Sequence, residues 1–313
     1  MTLDDAIADH ERRGYRLDMI MPADAPRIAV VSKGAEMLHL TATATGVEAA
    51  PFTGIGHPVI PPGRQEFILT RANETPWVAG RAGMQYRDLI PGRLGGRYIA
   101  SHIRVENGGP VPDYVHHHRV RFQMIFVRKG WVRVVYEDQG DPFMMHEGDC
   151  VLQPPHIRHR VLESSPGLEV IEVGCPAEHE TFRDHELTLP TSTRDPNRNF
   201  NGQRFVFHQV ASASWQESDG GTFRDTAIAA ATTNLAGVRV IRSTAPVRRT
   251  LSGDFFFLAI LKGSTQLQSQ AVGTHTLTDG DACVLPKGAD YALAESNACE
   301  VLEVSLPALT PAA

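Results

Sequence analysis

The chain has 313 residues, 42% hydrophobic and 21% charged, with 27 glycines and 21 prolines, enough for two domains of ordinary size. A formal net charge of −6 offers no basic face to nucleic acid, and the longest strongly apolar run, residues 255–261, falls far short of the ~18 residues a membrane-crossing helix needs. The acidic, polar start around Asp4 and Asp5 differs from a secretory signal, so a cytoplasmic protein with neither nucleic-acid nor membrane partners is expected.

In chain order, a helix is predicted over residues 3–13, with Thr2 as its cap and Gly14 as its stop. Residues 14–81 mix short apolar runs with Pro and Gly; strand-like pieces at 27–32 and 66–70 are expected to complete a sheet further along. Residues 98–105 read as a strand with Ile99, Ile103 and Val105 on one side and His102 on the other, where solvent is expected. Strands follow at 124–127, 131–136, 148–153, 160–163 and 168–173, each ended by Gly, Pro or Asp, the pattern of an antiparallel sandwich or barrel. The polar, irregular stretch from about 187 to 203 reads as a linker. Cys150, Cys175, Cys283 and Cys299 sit in apolar stretches without a CxxC pair, as buried reduced cysteines do.

An internal repeat sets the architecture. Laying Gly263 on Gly130 brings Lys262 onto Lys129. With one gap, Gly280 and Asp281 then meet Gly148 and Asp149, Pro286 meets Pro154 and Glu295 meets Glu163. After a small deletion, residues 300–304 meet 169–173. Glycine and proline matching at turns, with apolar residues matching in strands, marks a duplicated β-unit.

With these landmarks the sequence resembles the cupin superfamily. One motif of that family is carried by Gly109, His116, His117, His118, Gln123 and Gly130; the second by Gly148, Pro154, Pro155, His156, His159 and Glu163. The resemblance covers about residues 85–180 and, more faintly, 205–308. It implies an all-β fold of two tandem jelly-roll barrels preceded by a short helix. The expected plan is an extension at 1–84 packing on the barrels, a metal-binding barrel at 85–186, a linker at 187–204 and a second barrel at 205–313. It also implies that His116, His118 and His159 hold one divalent metal ion. The sequence departs from the pattern in one extra residue before His116, in His156 for a glycine, in Glu163 for an asparagine, and in Gln123 for a glutamate that is commonly a fourth ligand.

The residues support such a site chemically. His116 and His118, two apart on a strand, share a face while His117 points away. Three neutral imidazoles suit Fe, Ni, Cu or Zn and leave positions open for substrate. Gln123 leaves a bound ion its full charge, which favours an anionic or chelating oxygen donor; its amide either ligates weakly or hydrogen-bonds a bound water or substrate. Gln123 and His156 are thus the catalytic candidates, and Tyr114, Arg121 and Glu163 the candidates for substrate contact. In the second barrel the equivalent positions are Arg249, Leu251, Phe256 and Tyr291, so a structural role is expected there. His179 and His185 are six apart, not the spacing of a helical zinc motif, and a solvated acidic connector is expected.

The resemblance points to an Fe(II)-dependent dioxygenase of the gentisate, salicylate or β-diketone type, with Zn, Ni or Mn as alternative ions and an aromatic hydroxy acid or diketone as the small-molecule substrate. The competing readings are a non-redox metal-dependent isomerase, lyase or hydrolase, and a non-catalytic ligand-binding cupin. It further implies a homodimer.

Overall fold

In the computed structural model, which describes residues 1–56, 59–80 and 83–309, Thr2 opens an α-helix over Leu3–Arg12. The Thr2 hydroxyl accepts from the Asp5 amide at 3.1 Å, and the Asp5 carboxylate accepts from the Thr2 amide at 3.0 Å. These two bonds satisfy donors that a helix start leaves unpaired. Gly14, at φ +89°, turns the chain out of the helix. Leu3 and Ala6 pack on Leu17, Ile20, Val31 and Leu40, residues of an antiparallel meander made of Arg16–Met21, Ile28–Lys33, Glu36–Thr43 and Gly46–Pro51.

The meander extends one sheet of the first barrel. Its first strand pairs with Thr181–Arg183, and the sheet continues through His116–His118, His159–Ser164, Trp131–Tyr136 and Phe143–His146. The facing sheet runs Cys150–Leu152, Phe122–Lys129, Leu168–Cys175, Ile99–Val105 and Gln85–Asp88. The second barrel is built from Gly221–Asp225, Gly237–Ser243, Asp290–Leu306, Phe255–Ser269 and Ala282–Val284. The two-barrel, all-β architecture with a short leading helix is therefore the one the repeat predicts. Among the described residues, no helix is long and apolar enough to cross a membrane.

Each barrel receives a strand from the segment that precedes the other. Ile68–Thr70, upstream of the first barrel, pairs with Ala282–Val284 of the second. Val206–His208, upstream of the second barrel, pairs with Cys150–Leu152 of the first. The repeated Asp149 and Asp281 fasten these strands in the same way: Asp149 accepts from the Val210 amide at 2.8 Å, and Asp281 from the Ala72 amide at 2.9 Å. The polar 187–204 stretch lies against the first barrel, with Thr193 and Arg198 bonded to Asp138 and Phe200 buried in that barrel's core.

Strand alternation sorts the side chains of the two barrels into three cores, beside the one under the leading helix. Phe122, Met124 and Phe126 point out of the first barrel and meet Phe255, Phe257, Val240 and Val304 of the second in one shared cluster; Tyr98 stacks on Phe255 with ring centroids 4.1 Å apart. The intervening residues point inward, Ile125 and Val127 into the first barrel and Phe256, Leu258 and Ile260 into the second. Leu251, Phe256 and Tyr291, which replace His118, Gln123 and His159 in the repeat, belong to the packed interior of the second barrel. There the Tyr291 hydroxyl donates to the buried Glu303 at 3.0 Å, and Arg239 pairs with the same carboxylate. Arg249 stands at the rim, its guanidinium donating to the Asp219 carbonyl at 3.3 Å. The side chain of Glu295 lies outside the described residues.

Candidate metal centre and its cavity

The three predicted histidines come together. His116 stands opposite His159 in the sheet, and ligand-capable nitrogens of His116, His118 and His159 all lie within 4.8 Å of one another. Register explains this: the short 116–118 strand is held between 159–164 and 181–183, so residues from both neighbours reach its inward face. All three side chains are buried.

Each ring is also fixed from behind. His116 Nδ1 donates to the Tyr114 carbonyl at 2.8 Å and His159 Nδ1 to the Ile157 carbonyl at 3.0 Å. His118 Nδ1 is bonded to the Thr181 hydroxyl at 2.9 Å, and Thr181 is its cross-strand partner. Engaging Nδ1 in this way selects Nε2 as the ligating nitrogen and sets the plane of the ring. The buried Asp113 carboxylate lies 3.5 Å from His116 Nδ1 and accepts from the Val161 amide at 2.9 Å. Three oriented imidazoles at this separation fit a divalent first-row transition metal.

The histidines lie on one wall of a cavity of about 130 Å3 enclosed between the two sheets of the first barrel. Tyr136 stacks beside His159, ring centroids 5.4 Å apart. The opposite wall carries Gln123 and Glu172, joined by a buried relay. The Tyr136 hydroxyl donates to Gln153 at 2.6 Å, the Gln153 amide to the Gln123 carbonyl at 3.0 Å, and the Gln123 amide to Glu172 at 2.7 Å. Burial holds the Tyr136 phenol far above its usual range, so it stays protonated and acts as the donor at the head of the chain. Gln123 therefore commits one N–H to Glu172 and one lone pair to Gln153. The carboxylate absent at position 123 is present one hydrogen bond further out, at Glu172.

The other sequence candidates stand elsewhere. Tyr114 contributes its backbone carbonyl to His116, while its ring lies under the Arg183 guanidinium at 4.6 Å. Arg121 is exposed, because the alternation that turns Gln123 inward begins only at Phe122. Glu163 sits at the rim opposite Arg133 and Pro110. His156 follows Pro154 and Pro155 in a turn at φ +65° and packs on the outward-facing His117, ring centroids 5.5 Å apart. None of these four side chains lines the cavity. His117 lies between His156 and Phe182, where burial lowers it to about 4, and it stays neutral.

Two expectations about histidines are corrected. His102 is not solvated: it is 3% exposed, lies edge-on to Trp77 and bonds Glu169 at 2.9 Å. Nor does His179 lie in a solvated connector. It is 4% exposed, lines the cavity and stands edge-on to His118 with ring centroids 5.3 Å apart; its neighbour Glu180 is paired with Arg119. Sequence reasoning missed Tyr136, Gln153, Glu172, Thr181 and His179, together with Ala23 and Asp24 of the N-terminal meander, which also line the wall. Only Glu172 had a signal in the sequence, since it shares the inward register of Leu168 and Val170 and repeats as Glu303.

No protein-family model matches the sequence, and no curated protein sequence matches it. Solved structures do. An oxalate decarboxylase from Bacillus subtilis, determined at pH 4.6, matches with a TM-score of 0.57 at 12% identity over 82% of this chain and 79% of that one. A single-substitution variant of the enzyme gives a TM-score of 0.58 at 12% identity, over 82% and 80%. A structure from work on the Mn(II) centres of B. subtilis oxalate decarboxylase gives 0.56 at 14% identity, over 82% and 80%. This finding overturns the expectation of an Fe(II) dioxygenase: the two-barrel structures that the chain resembles are decarboxylases, one described by its Mn(II) centres. The gentisate-type resemblance is not supported, and what the comparisons show for this chain is the two-barrel cupin fold.

Proposed function

We propose that the protein is a metal-dependent lyase of the decarboxylase type, acting in the first barrel on a small carboxylic acid with an apolar body. The observation that carries this reading is the convergence of three imidazoles, each held through Nδ1, on one wall of a cavity inside the first barrel. His116, His118 and His159 would hold the ion, with Mn(II) the first candidate and Fe, Ni or Zn as alternatives. When bound, it supplies Lewis acidity to a carboxylate.

The remaining steps belong to the chain. The cavity walls are largely Val, Ile, Leu and Met, and among the described residues neither Arg nor Lys lines them. An acid lacking apolar surface would leave those walls without a partner, whereas one with a short hydrocarbon body fills them. A cavity of about 150 Å3 holds benzene, so the 130 Å3 here suits a substrate of that order. Decarboxylation needs no oxidant: the bond between carboxylate and adjacent carbon breaks, CO2 leaves, and the carbon takes the electron pair and a proton. Glu172, oriented by Gln123, is the carboxyl placed to hold that proton.

The test is metal analysis after loading with Mn(II), Fe(II), Ni(II) and Zn(II) in turn, followed by CO2 release from a panel of small acids. One retained ion per chain, CO2 release, and loss of both in His159→Ala are expected. Failure to retain any ion in excess would reduce the protein to a ligand-binding module, and a loaded protein that releases no CO2 from any acid would remove the lyase reading.

A further inference from the structure

Among the described residues, His179 is the one cavity-lining histidine outside the triad. Its Nδ1 donates to the Pro176 carbonyl at 3.0 Å, which leaves Nε2 as an acceptor. That nitrogen is buried and has no hydrogen-bond partner among the described residues. Buried polar atoms are nearly always satisfied, and an exception on a cavity wall asks what satisfies it. The polar groups of the relay across the cavity are bonded to one another, Tyr136 to Gln153, Gln153 to Gln123 and Gln123 to Glu172. Two anchored sites thus flank the place where a ligand would sit: the histidine triad, suited to a carboxylate oxygen on an ion, and His179, which offers a lone pair and asks for a donor.

We infer that His179 is a substrate-binding residue that accepts a hydrogen bond from a hydroxyl group, so that the substrate is a hydroxy acid with a small apolar body. The inference rests on the metal-centre reading above and sharpens it. A simple carboxylate has no donor for Nε2, and an apolar group placed there would leave the nitrogen unpaired; the site therefore discriminates by a hydroxyl that the ligand must bring. His179 reaches the cavity because the chain turns after Cys175 and runs back as Thr181–Arg183 beside the histidine strand. The segment that orients His118 through Thr181 is thus the one that presents His179.

The experiment compares binding of 2-hydroxy-4-methylpentanoate and 4-methylpentanoate, which differ by one hydroxyl, to the Mn(II)-loaded protein by calorimetry, with bound metal measured in the same samples. The hydroxy acid is expected to bind the wild type about tenfold tighter, the size of one hydrogen bond to a buried acceptor. His179→Leu should retain the metal and lose this preference, while His179→Gln, whose carbonyl can accept, should recover part of it. Equal affinities in the wild type, or a preference that survives in His179→Leu, would overturn the inference. So would loss of the metal in a folded His179→Leu, which would make His179 a ligand. Should that variant not fold, His179→Gln decides: a preference unchanged from the wild type would come from chelation of the ion by the hydroxyl and would overturn the inference. A wild type that keeps its ion but binds neither acid sinks the inference and leaves the metal centre standing; one that keeps no ion sinks both.

Discussion

Thr181 illustrates how much of the site depends on residues that are not ligands. Its hydroxyl is the Nδ1 partner of His118, and Thr181→Val keeps the shape while removing that partner. Metal affinity is expected to fall about 10- to 100-fold, as for other partners of metal-bound histidines, with the fold unchanged; competition against a chromophoric chelator measures it. An unchanged affinity would mean that His118 is oriented by packing alone. At this scale the sequence was legible in part. The histidine spacing is local, so strand alternation turns His116 and His118 inward without knowledge of the rest. Thr181 and His179 lie some sixty residues away, and no local pattern joins them to His118. Arg121 and Gln123, two apart, do not share an environment, because Arg121 precedes the start of its strand.

The exchanged strands give the elements their order. Asp149 and Asp281 are 3% exposed, and each fastens a strand donated by a distant segment. Asp149 accepts from Val210 and His146 amides. Asp281 accepts from Ala72 and Thr278 amides, the Thr278 hydroxyl and Arg71. Removing a buried carboxylate that holds several donors leaves those donors unsatisfied. Asp149→Ala is expected to lower the unfolding free energy by about 2 kcal/mol and Asp281→Ala by about 3 kcal/mol, since more donors lose their partner there; denaturant titration checks both. A smaller loss at Asp281 than at Asp149 would contradict the anchoring role. The repeat revealed these two aspartates as equivalent. It did not reveal what they hold, because strands 68–70 and 206–208 are three-residue pieces with no repeat signal strong enough to assign a partner.

At the scale of the whole molecule, the barrels are joined by a shared core and by charge. Arg128 of the first barrel pairs with Glu169 of its own sheet and with Asp279 of the second barrel at 2.8 Å. The hydrogen bond from His102 holds Glu169 down to about 2, with Arg128 assisting and burial opposing; burial itself lowers His102. The unfolded chain takes up a proton at each group near its ordinary value, 6.5 for the imidazole and 4.5 for the carboxyl, before the folded chain does. Stability from the pair is therefore complete above about pH 6.5, and it declines as pH falls from there toward 2. Unfolding should be a single transition reported alike by Trp131 and Trp215, one tryptophan in each barrel, and its midpoint should drop on acidification. Glu169→Gln should flatten the part of that drop below about pH 4.5. Two separated transitions, or a midpoint that rises with acid, would contradict the coupled picture.

The sequence by itself determined the duplicated β-unit, the leading helix and the three histidines, because each is written in short-range periodicity and turn chemistry. It also marked the positions at which the second barrel carries Leu251, Phe256 and Tyr291 in place of potential ligands. Tertiary structure alone decided the rest. The relay that joins Glu172 to Gln123 and Gln153, the acceptor at His179 and the cover supplied by Ala23 and Asp24 come from segments brought together by sheet pairing, and pairing between distant segments leaves no trace in local spacing.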